Sequence, residues 1–171
     1  MTLDLTNLAA DIARNIGEEF PAPVREMVQR QYTHLVEEAR ELVKAMAAAS
    51  LADIRDELAD VALVAHILAH YIEVNVITAE AIAFPSFTPT YPDVLGTAAD
   101  VAGPLRRYLG IARRSGTIEP VVHALGLVML TVRQLATNHG VDLDAAITEK
   151  AQVVYARGWR EVPADVSHSG L

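Results

Sequence analysis

At 171 residues and 51% apolar side chains, the chain has material for one domain with a real core and too little for two independent ones. Its net charge of −8 leaves no basic face for a phosphate backbone, which excludes nucleic-acid binding by counterion release, and zero cysteines exclude disulfides and thiolate metal ligands. Abundant Ala and Leu, only 5% aromatic residues and almost no strand signal predict an all-α fold, an antiparallel helical bundle.

The opening MTLDLTNLAADIARNIGEEF carries early acids and no basic-then-apolar signal pattern, so a soluble cytoplasmic protein is expected. Residues around 3 to 17 read as a short amphipathic helix stopped by Gly17, Pro21 and Pro23. From about Val24 to Ala49 there is no Gly or Pro, and Val24, Met27, Leu35, Val36, Leu42, Val43 and Met46 recur roughly in the helical period. Ser50 with Asp53 resembles a capping box whose acid is shortened from Glu, which starts a new helix at Leu51. That helix runs to about Val74, Asn75 breaks it, and Thr78 to Ala83 adds a further turn or two. The apolar run after Asp60 is interrupted by His66 and His70 and reads as a core helix, not a membrane span.

Pro85, Pro89 and Pro92 exclude regular helix between Phe84 and Gly96, which reads as a connector or lid. Thr97 to Arg114 is helical with a weak point at Gly103 and Pro104, and Ile118 to Asn138 forms the second arm of a hairpin closed by Gly140. Asp142 caps a last helix from Leu143 to about Arg160, after which 163–171 is a frayed tail. One domain over 1–162 is expected. Within it 61–82 lies over 126–147 at a constant offset of 65, so that 24–83 reads as a catalytic half and 97–147 as a degenerate repeat. The second copy has Val122 and Leu125 where the first has Glu57 and Asp60. A chance alignment of two Ala/Leu-rich helices is the alternative.

Asp60 poses the chemical question. Between Leu58 and Ile72 the other polar side chains are His66, His70 and Tyr71, so an ionised Asp60 calls for a cation, and no opposite charge stands near it in sequence. Side chains three and four apart share a helix face, which pairs Glu38 with Glu41, Glu37 with Glu41, and Glu57 with Asp60. The 15 residues between Glu41 and Glu57 let the chain turn at Ser50 and run back, bringing the two acidic patches level. Four inward carboxylates, Glu38, Glu41, Glu57 and Asp60, then form an all-oxygen cage for Mg²⁺ or Mn²⁺.

The pattern Glu37-Glu38-x-x-Glu41, a spacer, and Glu57-x-x-Asp60 resembles the signature of the MazG-type all-α nucleoside triphosphate pyrophosphatases, among them the dimeric dUTPases. Gly140-Val-Asp-Leu-Asp followed by Lys150 and Arg157 is similar to the helix that closes such domains, although Val154 stands where the family often has Asn. The resemblance implies Mg²⁺-dependent cleavage of a nucleoside triphosphate between the α and β phosphates. It implies Glu38, Glu41, Glu57 and Asp60 as metal ligands, Glu37 as the group that orients or deprotonates water, and Lys150 and Arg157 as phosphate contacts. A homodimer or larger assembly is expected from the apolar area of so few helices. The rivals are a phosphoribosyl-ATP pyrophosphohydrolase and a non-catalytic helical dimer that binds a nucleotide.

Other residues fit either a site or ordinary packing. His66, His70 and Glu73 have transition-metal spacing; Arg106, Arg107, Arg113 and Arg114 cluster on one helix; Tyr32, Tyr71 and Trp159 suit base stacking or the core.

Overall fold

A computed structural model describes residues 5–88, 92–110 and 117–157. Among these every regular element is a helix: α1 Leu5–Glu19, α2 Val24–Ala48, α3 Leu51–Tyr71, α4 Val76–Ala83, a 3-10 turn Phe84–Ser86, α5 Val94–Asp100, α6 Ala102–Gly110, α7 Glu119–His139 and α8 Leu143–Arg157. The all-α expectation holds. The side chain of Arg157, together with Pro89, Arg113, Arg114, Trp159 and the 163–171 tail, lies outside the described residues.

α1 buries Ala9, Ile12, Ala13 and Ile16, one stripe at helical spacing. It passes through Gly17, where no atom would crowd an added Cβ, and ends at Glu19 because the residue before Pro21 is biased away from helical dihedrals. The α2–α3 connection is only Ala49 and Ser50. Ala49 takes the left-handed conformation (φ 55°), its N–H bonds Met46 O at 3.1 Å, and the Ser50 N–H reaches Ala45 O at 3.4 Å, the paired bonds of a Schellman cap. Ser50 Oγ then accepts from the Asp53 N–H at 3.5 Å to start α3. A cap and a start in two residues force the arms antiparallel. Glu38 and Asp60 stand eleven residues either side of Ala49, and at about 1.5 Å of rise per residue they come level.

The same corner is built twice more cheaply in chain length. At the end of α3, Glu73 is left-handed (φ 59°), the Val74 N–H bonds Ala69 O at 2.9 Å, and Asn75 Oδ1 caps α4 at the Thr78 N–H, 3.1 Å away. At the end of α7, Gly140 is left-handed (φ 67°), the Val141 N–H bonds Ala136 O at 2.8 Å, and Asp142 Oδ1 caps α8 at the Ala145 N–H, 3.1 Å away. Left-handed residue, Val and Asx cap recur from Glu73 to Gly140, an offset of 67 residues. The apolar runs, laid together, give an offset of 65 residues, and these two corners stand 67 apart.

The connector differs from expectation at both ends. Phe84–Ser86 forms a 3-10 turn, and α5 starts at Val94, because Asp93 Oδ1 accepts the Gly96 N–H at 2.8 Å. The weak point of the following segment falls at Val101, one turn before Pro104. Pro104 donates no bond to Asp100 O, and its ring crowds that carbonyl, so the break appears three residues upstream, just past Asp100.

α3 lies at the centre, against α1, α2, α7 and α8, and buries almost every side chain from Leu58 to Ala69. α7 is long and apolar enough to cross a membrane by length and composition, and 61% of that window is buried within the bundle. It meets α4 at Gly126, where an added Cβ would sit 2.1 Å from Ala79 O. α8 closes over α3.

Candidate active site

The hairpin brings Glu38 of α2 together with Glu57 and Asp60 of α3, one carboxylate oxygen of each lying within 4.8 Å of the others. All three are half-buried. The fourth group is a cation: Lys150 Nζ of α8 donates to Asp60 Oδ2 at 2.5 Å. The opposite charge that Asp60 lacked in sequence therefore comes from 90 residues away, on the helix that the Asp142 cap starts.

One ammonium does not balance three carboxylates. Burial, followed by the charges of Asp60 and Glu57, pushes Glu38 up to about 7 despite Lys150. Burial and then Asp60 push Glu57 up to about 7 as well. Asp60 is raised by burial more than Lys150 lowers it, and Lys150 is raised because Asp60, Asp56 and Glu57 together outweigh its own burial. A cluster that holds protons near neutrality and offers only hard oxygen donors fits a hard divalent cation, whose charge would replace those protons.

These shifts fix the sign of a pH dependence. Glu38 and Glu57 have folded-state values above their unfolded value of 4.5, so the folded protein binds more protons between about 4.5 and 7. Their contribution is present in full below the unfolded value and is lost as pH rises through 7. Metal-free protein is expected to melt at a lower temperature at pH 8 than at pH 5.5, and saturating Mg²⁺ should shrink that difference. Thermal melts in chelator across this range check it; a metal-free melting temperature that climbs steadily from 5.5 to 8 contradicts the cluster.

The other acids of the motif stand at its edge. Glu41 Oε1 accepts from Lys44 Nζ at 2.6 Å, and its charge still raises Glu57. Glu37 lies 3.4 Å from His34 Nδ1 on the exposed side. Both contacts are exposed i,i+3 pairs, of the kind worth at most a few tenths of a kcal/mol (~0.3), so neither acid is held away from the cluster. Two neighbours were not legible as site residues: Arg55 of α3 bonds Glu149 at 2.5 Å and lies 3.7 Å from Asp56, bracing α3 to α8 at the residue next to Lys150. Arg133 Nε bonds both Glu80 oxygens at 3.0 Å, and its NH1 reaches Asp144 at 3.2 Å, tying α4, α7 and α8 together.

The transition-metal grouping is not assembled. Among the described residues the one set of three candidate ligands is Glu38, Glu57 and Asp60, so His66, His70 and Glu73 do not converge. His66 is buried, its ring pushed down to about 4 chiefly by burial, and its Nε2 has no hydrogen-bond partner. Tyr71 is anchored, its hydroxyl donating to Ala13 O at 2.8 Å.

A helical hairpin that gathers carboxylates across its two arms defines an all-α domain able to hold a hard cation. The family model of the MazG nucleotide pyrophosphohydrolase domain matches residues 27–82, the segment from the first turn of α2 to α4 that contains the whole triad. Over that segment, about a third of the chain, the sequence is similar to MazG nucleotide pyrophosphohydrolase domains. No curated protein and no solved structure gives a significant match.

Proposed function

We propose that the protein hydrolyses a nucleoside triphosphate, a non-canonical NTP or a dNTP, between the α and β phosphates, releasing the monophosphate and pyrophosphate. The observation that carries this reading is the Glu38–Glu57–Asp60 triad with Lys150 against it, inside the segment that matches the family. Glu38, Glu57 and Asp60, with Glu41 turning in from the edge, are the residues to hold Mg²⁺ or Mn²⁺. Such a cation supplies neutralisation of the triphosphate charge and polarisation of phosphorus. Glu37, beside Glu38 and open to solvent, is suited to orient or deprotonate the attacking water. Lys150 offers phosphate a mobile point charge, and Arg157, seven residues on in sequence, a planar fork.

The reading extends to a cytoplasmic homodimer or larger assembly, supported by the exposure of Ile77, Ile82 and Phe84 around α4. It also takes 97–147 as a degenerate counterpart of 24–83, supported by the two matching corners. Pyrophosphate release from a panel of canonical and modified NTPs and dNTPs, with and without Mg²⁺, is the deciding measurement. Release that requires the cation is expected for at least one member. No release from any of them, with nucleotide binding retained, would establish a binding module instead.

A further inference from the structure

A second recess carries the opposite charge. Between the N-terminal half of α2 and α6 lies a groove of about 150 Å³ lined by Arg25, Gln29 and Tyr32 from α2 and Leu105, Arg106 and Leu109 from α6. Among the described residues no acidic side chain lines it. The chain has 22 acids against 14 bases, yet among the described residues neither Arg25 nor Arg106 has an ion-pair partner. Two unneutralised guanidiniums from different helices thus face one recess. The first turn of α2, which carries Arg25, begins after Pro23 with no side-chain cap, so its positive end adds to the same field.

The floor is apolar. Leu105 is buried and Leu109 half-buried, and Tyr32 lines the same groove with its hydroxyl making only a 3.5 Å contact to Ala99 O. Such a contact leaves the phenol free to donate elsewhere. Tyr32 and Glu38 are about 120° apart around α2 at 3.6 residues per turn, so the groove opens on a different face from the carboxylates.

We propose that this groove binds a small organic anion, a phosphate ester or carboxylate with a flat apolar body. The charged group sits between Arg25 and Arg106 with the Tyr32 hydroxyl as a further donor, and the body rests on Leu105 and Leu109. Bidentate guanidinium forks supply the affinity and the apolar floor supplies selection against bare inorganic anions.

The test uses the full chain in chelator, so that the carboxylate cluster is metal-free. Phenyl phosphate and benzoate are titrated by calorimetry and by amide NMR, with inorganic phosphate and benzyl alcohol as the charge-only and body-only probes. Saturable binding of at least one of the two organic anions is expected, with the largest shifts at Arg25, Tyr32 and Arg106 and weaker binding of both control probes. Arg25→Ala and Arg106→Ala should each weaken it about tenfold, as loss of a charge-assisted bond does. Both side chains are exposed and, among the described residues, without an ion-pair partner, so the variants should melt like the parent. Absence of saturable binding, binding insensitive to both substitutions, or binding abolished by Glu38→Gln instead would each overturn the assignment.

Discussion

Asp60→Asn is expected to abolish pyrophosphate release while leaving the fold in place. The substitution keeps the volume of the side chain and an acceptor for Lys150 Nζ but removes the charge at the centre of the triad. Electrostatic stabilisation of a polyphosphate transition state by a bound cation is worth several kcal/mol, so loss of a ligand that costs roughly 4 kcal/mol lowers kcat/KM by about 10³. Helical content by circular dichroism should match the parent. The metal-free melting temperature should equal the parent's or exceed it, because one like charge is gone from beside Glu38 and Glu57. Unimpaired cation-dependent turnover in Asp60→Asn would rule out the triad as the metal centre.

Gly126→Ala should be the most damaging single methyl in the protein, although it lies away from the carboxylates. The new Cβ would stand 2.1 Å from Ala79 O, 2.6 Å from Ala79 C and 2.7 Å from Ala83 Cβ, and all three atoms are backbone or fixed to it. No side-chain rotation relieves the clash, so α4 must move off α7. Overpacking of a tight core costs about 3 kcal/mol when backbone has to shift, which for a chain of this size lowers Tm by roughly 10 °C. The displacement also strains the Arg133–Glu80 fork that joins the same two helices. Gly103→Ala, where nothing crowds an added Cβ, is the matched control and should be near neutral. Equal melting temperatures for the two variants would mean that α4 and α7 do not approach as described.

Much of this was legible in the chain. Apolar spacing marked α1, α2, α3 and α7, and Pro21, Ser50, Gly140 and Asp142 marked where they start or stop, because caps and breakers act within a few residues. The corners at Ala49 and Glu73 were less legible, since neither is the glycine that usually announces a left-handed cap. Asp93 was overlooked as the start of α5 beside three prolines.

The site divides along the same line. Sequence spacing paired Glu38 with Glu41 and Glu57 with Asp60 and brought the two helices level, since Glu38 and Asp60 lie equally far from the turn. Spacing treats Glu38 and Glu41 as neighbours on one face, but the 60° between positions three apart leaves Glu38 facing α3 and Glu41 at the solvent edge with Lys44. Asp60 and Lys150, Arg133 and Glu80, and Arg25 and Arg106 come from helices far apart in the chain. What the sequence determined by itself was therefore the long helices, most of their limits and the acids they carry, all products of local periodicity and capping. Which of those acids meet, which lysine neutralises them, and where two arginines stand unpaired were decided by how the helices cross, a packing outcome that no short window of residues contains.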